Sequence, residues 1–380
     1  MIMAADKQDK VLNVPTLRFP EFSGEWHRTT IGDCCSPLEY GMNAPAKEYD
    51  GMNKYIRITD IDEGTYTYKY DDVVSPNAQL ENKYKVQKND ILFARTGAST
   101  GKAYLYNEKD GLMYYAGFLI RGNVKPAYNA KFVSLQTQTQ KYKKWVDIMS
   151  IRSGQPGINS QEYSGFKFHL PPSKVEQDKI STLFTLLDER ITTQIRIIDK
   201  LQSLMKGLAE HLTEFTPNTK IADCLNCHSS VLQENQVKSE GKYKVYGANG
   251  ICGYSDKPAI LEDTILIVKD GSGVGNVSYA SGEYSVIGTS NYLTAKSGYS
   301  LKYLYYSLMV FNFIPYKTGM AIPHIYFKDY RKALIYCPSL DKQVQIASLL
   351  SKIECKIEAD KAIADFYQQQ KRFLLQSMFI

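Results

Sequence analysis

The chain has little of what catalysis needs. Its five histidines, His27, His169, His211, His228 and His324, are dispersed. No HExxH zinc pattern or nucleophile elbow frames any of them. No Asn-Pro-Pro-Tyr type motif for methylating a base amino group is present, and no acidic pair with a trailing lysine reads as a nuclease. No run approaches the ~18 apolar residues of a membrane span. The N-terminus, Met1-Ile2-Met3-Ala4-Ala5-Asp6-Lys7, lacks the basic-then-apolar signal pattern, so a soluble cytoplasmic protein is expected. Seven cysteines, an odd number without framework spacing, predict reduced thiols. Cys224-Leu225-Asn226-Cys227-His228 matches the haem-attachment pattern, but covalent haem needs export and zinc needs two more ligands, with only Cys252 near.

What is present is enough apolar residue, 43% of the 380, to build real cores in two or three domains. The net charge of +6 tilts the balance toward a polyanionic partner. Tyrosine is abundant, 29 against 15 Phe and 2 Trp. Two readings stay open: half-buried strands, or contact surfaces that use the flat ring and its hydroxyl.

The chain also repeats itself. A Pro-Pro, a capped start and a long amphipathic stretch run over Pro171–Leu212 and return, diverged, over Cys337–Met378. The stretches before them share landmarks: Ile31-Gly32-Asp33-Cys34 with Ile221-Ala222-Asp223-Cys224, and Ile91–Gly97 with Ile265–Gly271. The loop Ser153–Ile158 has a looser counterpart around Thr318–Ile325. The expected boundaries are a leader at 1–22, a first globule at 23–172, a helix at 173–214, a second globule at 215–338 and a helix at 339–380. β-runs are expected at Lys54–Ile58, Tyr66–Tyr68 and Asp90–Ala94, and a helical stretch at Ala130–Met149.

Ser173 with Glu176 three residues on predicts a capping box at the first long helix. Its stripe of Ile180, Phe184, Leu187, Ile191, Ile195 and Ile198, continued by Met205, Leu208 and Leu212, has coiled-coil spacing. The second stripe is Ile346, Leu350, Ile353, Ile357, Ala364, Tyr367, Leu374 and Met378. Helices of roughly 38 residues would span about 57 Å each and need a partner for the apolar face. The fold class expected is α+β, two mixed target-reading domains separated by a long antiparallel two-helix coiled coil with pseudo-two-fold symmetry.

Gly97-Ala98-Ser99-Thr100-Gly101-Lys102-Ala103 resembles a P-loop but is one residue short, and Ala103 stands where Ser or Thr would hold magnesium. The second copy, Gly271-Ser272-Gly273-Val274-Gly275-Asn276, lacks the lysine. A strand followed by a tight glycine turn is expected, with backbone N–H groups open to phosphate. Candidate DNA contacts in the first half are Asn43, Lys47, Arg95, Thr96, Ser99, Lys102, Arg152, Gln155 and Asn159. In the second half they are Lys269, Ser272, Asn276, Lys317, Thr318 and His324. Arg, Gln and Asn make bidentate bonds to guanine or adenine edges.

These residues resemble the specificity (S) subunits of type I restriction–modification systems. The resemblance rests on Leu17-Arg18-Phe19-Pro20-Glu21-Phe22, Gly24-Glu25-Trp26, Gly154-Gln155-Pro156-Gly157-Ile158-Asn159, and Pro171-Pro172 with Glu176-Gln177 and the duplicated helix. It implies two target-recognition domains that read a bipartite site in double-stranded DNA, and no catalytic residues or metal in this chain. It implies two methyltransferase (M) subunits that bring S-adenosylmethionine, and restriction (R) subunits that use ATP and Mg. The second copy departs from the pattern: Lys342 replaces the capping glutamate, and His324-Ile325 replace Gly157-Ile158. A related bifunctional restriction enzyme's specificity subunit, or a protein-binding adaptor, are the alternatives.

Overall fold

The buried strand Asp90–Ala94 organises the first half of the chain, and all five of its residues are buried. Side chains alternate along a strand, so such a run must be covered on both faces. Ile91 and Phe93 enter one core, with Trp26, Phe132, Tyr163 and Phe184. Leu92 and Ala94 enter another, with Ile56, Met113 and Tyr115. The computed structural model describes residues 13–271, 273–319 and 322–380. The described chain forms two compact units. One takes the residues up to Gln194 and those from Ile363 onward; the other takes Ile195–Ala362. Each globule is thus joined by part of both long helices.

In the first unit Asp90–Ala94 lies in a four-stranded antiparallel sheet between Leu119–Asn123 and Ala103–Leu105, with Glu39–Tyr40 at the edge. The short strand Lys54–Ile56 pairs in parallel with Met113–Tyr115. In the second unit Thr264–Val268, again buried throughout, lies between Ser290–Ala295 and Val277–Ala280, with Leu225–Ser229 at the edge. Tyr243–Gly247 pairs in parallel with Tyr284–Val286. The duplicated landmarks therefore become duplicated topology. The four-residue helices Ile31–Cys34 and Ile221–Cys224 match as well: Cys34 O accepts from Lys125 N and Cys224 O from Lys296 N, both at 2.9 Å.

The long helices run over Lys174–Thr213 and Leu340–Ser377. In the first unit they are antiparallel. Phe184 meets Phe379, Asp188 binds Lys371, and Arg190 lies over Tyr367, so one sequence rises as the other falls. Ile180, Phe184, Leu187 and Ile191 are buried there. They lie inside the fold, with Ile180 and Phe184 part of the globule's own core. In the second unit Leu350 and Ile357 are buried, and Ile195, Ile198, Ile346 and Ile353 are half-buried.

Two glutamines fasten the helix starts in the same way. Gln177 Oε1 accepts from Asn129 N at 3.0 Å, and Gln343 Oε1 accepts from Ser300 N at 2.9 Å. Their amides donate to Pro171 O and Pro338 O. Both side chains are buried, where an unmade hydrogen bond costs about 1–3 kcal/mol.

Four local expectations are corrected. Ala130–Met149 is two helices, Ala130–Gln136 and Gln140–Met149, because Thr139 accepts from Tyr142 N and caps a new start. Tyr66–Tyr68 forms no strand: Tyr66 has φ +59 after the turn, and Tyr68 makes only an isolated antiparallel bridge to Ile61. Lys54–Ile58 shortens to Lys54–Ile56, followed by a 3₁₀ turn at Ile58–Asp60. Glu176 does not act as the expected capping box either. Its buried carboxylate takes Arg18 Nε at 2.7 Å, Arg18 Nη2 at 2.8 Å and Trp26 Nε1 at 3.3 Å. The motif residues Arg18 and Trp26 are thereby locked to the first long helix.

Candidate nucleic-acid interface

The end of each central strand meets a loop from far along the chain. In the first unit Gly97 N donates to Pro156 O at 3.0 Å, and Ile158 N donates to Arg95 O at 2.9 Å. Ile158 is buried and pins the loop. Gly97 is required there: φ is +69, and a Cβ would stand 3.1 Å from Gln155 Nε2. Tyr163 fixes the far side of the turn. Its hydroxyl donates to Ala94 O at 2.6 Å and accepts from Gly101 N at 3.1 Å. The turn's N–H groups are mostly spent inside the protein. Thr100 N bonds Gly97 O and Lys102 N bonds Ser99 O, so the expected open row of phosphate donors is not formed.

The second unit repeats the junction. Gly271 N donates to Pro323 O at 3.0 Å, and Ile325 N donates to Lys269 O at 2.9 Å. Ile325 is buried like Ile158, and His324 bridges both Asp270 and Thr318. His324 and Ile325 thus occupy the places of Gly157 and Ile158, as expected from the repeated landmarks. The backbone frame is shared, and the side chains on it differ.

On the first junction stand Arg95, Thr96, Ser99, Lys102, Arg152, Gln155 and Asn159. Gln155 is exposed and Thr96 half-buried, whereas Ser99 is buried. Lys102 pairs with Glu63 at 3.2 Å. Arg152 reaches both oxygens of Glu162 at 2.7 Å. Asn159 caps the helix Ser160–Ser164 by accepting from Glu162 N at 2.9 Å. The side chains of Arg152 and Asn159 thus hold the loop in shape. Exposed Asn43 joins the group, since Gly41 N bonds Leu119 O and Met42 N bonds Tyr115 O. Exposed Lys47 lies apart, on the strand Ala46–Glu48 paired with Val74–Pro76.

On the second junction Lys269 and His324 are half-buried, and Asn276, Lys317 and Thr318 are exposed. Thr318 N and His324 N each donate to the other's carbonyl, which brings Lys317 and Thr318 to the strand end. Ser272 lies outside the described residues.

Sequence reasoning missed Tyr40 and Phe118. Tyr40 carries the Arg95 guanidinium 4.9 Å above its ring, and its hydroxyl accepts from Ser160 N at 3.2 Å. That bond holds the phenol pKa below its usual value. Phe118 O accepts from Arg95 N, and the residue is 59% exposed. The tyrosine excess was the available signal, but only folding selects which rings face outward.

Thiol chemistry has little footing at these sites. Burial pushes the Cys34 and Cys227 thiols to about 11 and Cys35 to about 12, so they stay protonated at neutral pH. Cys252 and Cys355 are exposed.

The profile of the type I restriction modification DNA specificity domain matches residues 24–203 and 219–365. The chain belongs to that family. Both copies of the duplicated arrangement are matched, one domain to each. The EcoprrI type I restriction enzyme specificity subunit of Escherichia coli is 24% identical over 112 residues, 30% of this chain and 28% of that subunit. The S subunit of the type I restriction–modification system from M. genitalium superposes with TM-score 0.67 at 16% identity, over 97% of this chain and 99% of that one. A chain solved in work on complex assembly and conformational transition of the type I R-M system gives TM-score 0.51 at 15% identity, over 93% and 96%. At such identities the likeness establishes the fold, two mixed domains with long linking helices. No helix among the described residues is long and apolar enough to cross a membrane.

Proposed function

We propose that this chain is the DNA-reading subunit of a type I restriction–modification complex, with each unit reading one half of a split, asymmetric duplex target. The observation that carries this is one junction built twice with different side chains. Arg95, Thr96 and Gln155 stand on one frame; Lys269, Thr318 and His324 stand on the other. A shared frame with changed side chains suits two readers of different sequences. Methyl transfer, ATP use and cleavage belong, on this reading, to methyltransferase and restriction subunits, which supply S-adenosylmethionine, ATP and Mg. The outward apolar residues Ile363, Phe366 and Phe373 on the second long helix offer such partners a surface.

The test is methylome sequencing of cells that carry the chain with its methyltransferase. A bipartite motif is expected. Exchanging 215–338 for the matching stretch of another family member should change one half-site and keep the other. Simultaneous change of both halves would refute independent reading, and absence of any split motif would refute the function. The purified chain alone should turn over no S-adenosylmethionine. Its DNA binding should weaken steeply with salt, as counterions released from phosphate require.

A further inference from the structure

Arg95 differs from the other basic side chains on its junction. Lys102 and Arg152 give their charges to Glu63 and Glu162. Arg95 has no carboxylate within ion-pair distance among the described residues. Its position is nevertheless fixed. Its N–H is held by Phe118 O at 3.0 Å, its carbonyl by Ile158 N at 2.9 Å, and its guanidinium by the Tyr40 ring at 4.9 Å. Tyr40 is itself held by Ser160 N. A cation–π contact uses none of the guanidinium's N–H donors in a hydrogen bond to the ring's own polar group, so they remain for another partner. A planar fork with free donors, fixed before binding, matches the O6 and N7 acceptors of guanine in the major groove.

We propose that Arg95 determines one guanine in the half-site read by the first unit, with Tyr40 as the residue that positions it. This rests on the function proposed above. Lys269, at the matching place in the second unit, is a point charge rather than a fork, so the second unit reads its half-site by other means.

The experiment uses the full complex with methyltransferase subunits, wild type and Arg95→Lys, Tyr40→Leu and Tyr40→Phe. Genomic methylation is sequenced, and binding is measured on duplexes carrying each of the four base pairs at each first-half position. Arg95→Lys should lose guanine discrimination by about ten-fold or more at one position, leaving the other half-site intact. Tyr40→Leu should relax the same position, and Tyr40→Phe, which keeps the ring, should retain the preference. Unchanged discrimination in Arg95→Lys overturns the proposal. So does an equal loss on all four base pairs, the mark of a contact that positions the duplex without reading a base. If the wild-type complex methylates no split motif, the proposed function falls instead.

Discussion

Lys371 is a charge inside a helix pair. It is 8% exposed, and its ammonium lies 2.7 Å from Asp188, which also takes Lys131 at 2.6 Å. Burial lowers its pKa, against the opposing pull of Asp188. The charged form is therefore penalised in the fold. That penalty is full at neutral pH and fades as pH rises through the lowered pKa toward the ordinary lysine value. Met205 stands at the same distance beyond Gln177 as Lys371 does beyond Gln343, so one copy already carries an apolar residue there. Lys371→Met should leave the protein equally stable or stabilise it, and the wild type should gain on the variant in alkali. Asp188→Asn should destabilise by about 3–5 kcal/mol, because it leaves a buried ammonium without its partner. Urea denaturation of both variants across pH checks these outcomes; a destabilised methionine variant would mean that the ion pair outweighs its desolvation.

The long helices carry two apolar faces with different roles. The inner face holds Ile191, 5% exposed, and the outer face holds Phe366 and Phe373, 65% and 60% exposed. The two phenylalanines are one heptad apart and share a side of the helix. Ile191→Asp places a charge in the interior and should cost several kcal/mol. Phe366→Asp with Phe373→Asp should leave the melting temperature near that of the wild type and abolish co-purification with the methyltransferase. If the double variant still captures the methyltransferase in full, that face is not the docking surface. Element boundaries were readable where one residue pattern ruled. Asp90–Ala94 was bounded correctly by its apolar run alone. The break at Thr137–Thr139 falls in the polar run Gln136–Lys141, and Thr139 there is an N-cap signal that a single helix over Ala130–Met149 passes over.

At the scale of the molecule, the helix Lys174–Thr213 connects the residues of one junction to those of the other. If the two units read two half-sites, its length sets the gap. Four residues inserted near Gln202 add about 6 Å and nearly restore the helical face. The gap in the methylated motif should grow by about one or two base pairs of about 3.4 Å each. A two-residue insertion turns the following stripe by about 200° and should damage assembly instead. Methylome sequencing of both variants decides; an unchanged gap in an active four-residue variant would assign spacing to the globules.

The sequence by itself determined the duplication, the α+β class, the two long helices and the family. These follow from periodicity and from motif order, which survive when most identities change. Tertiary structure decided which side chains remain available. Arg152 and Asn159, both candidate base contacts, also bind Glu162 and cap a helix start. Glu176 looked like a cap and instead holds Arg18 and Trp26. Arg95 owes its place to Tyr40, Phe118 and Ile158, residues far from it in the chain that only the folded sheet brings to one strand end. Local propensity fixes what a segment becomes. A side chain's availability depends on partners that sequence distance does not reveal.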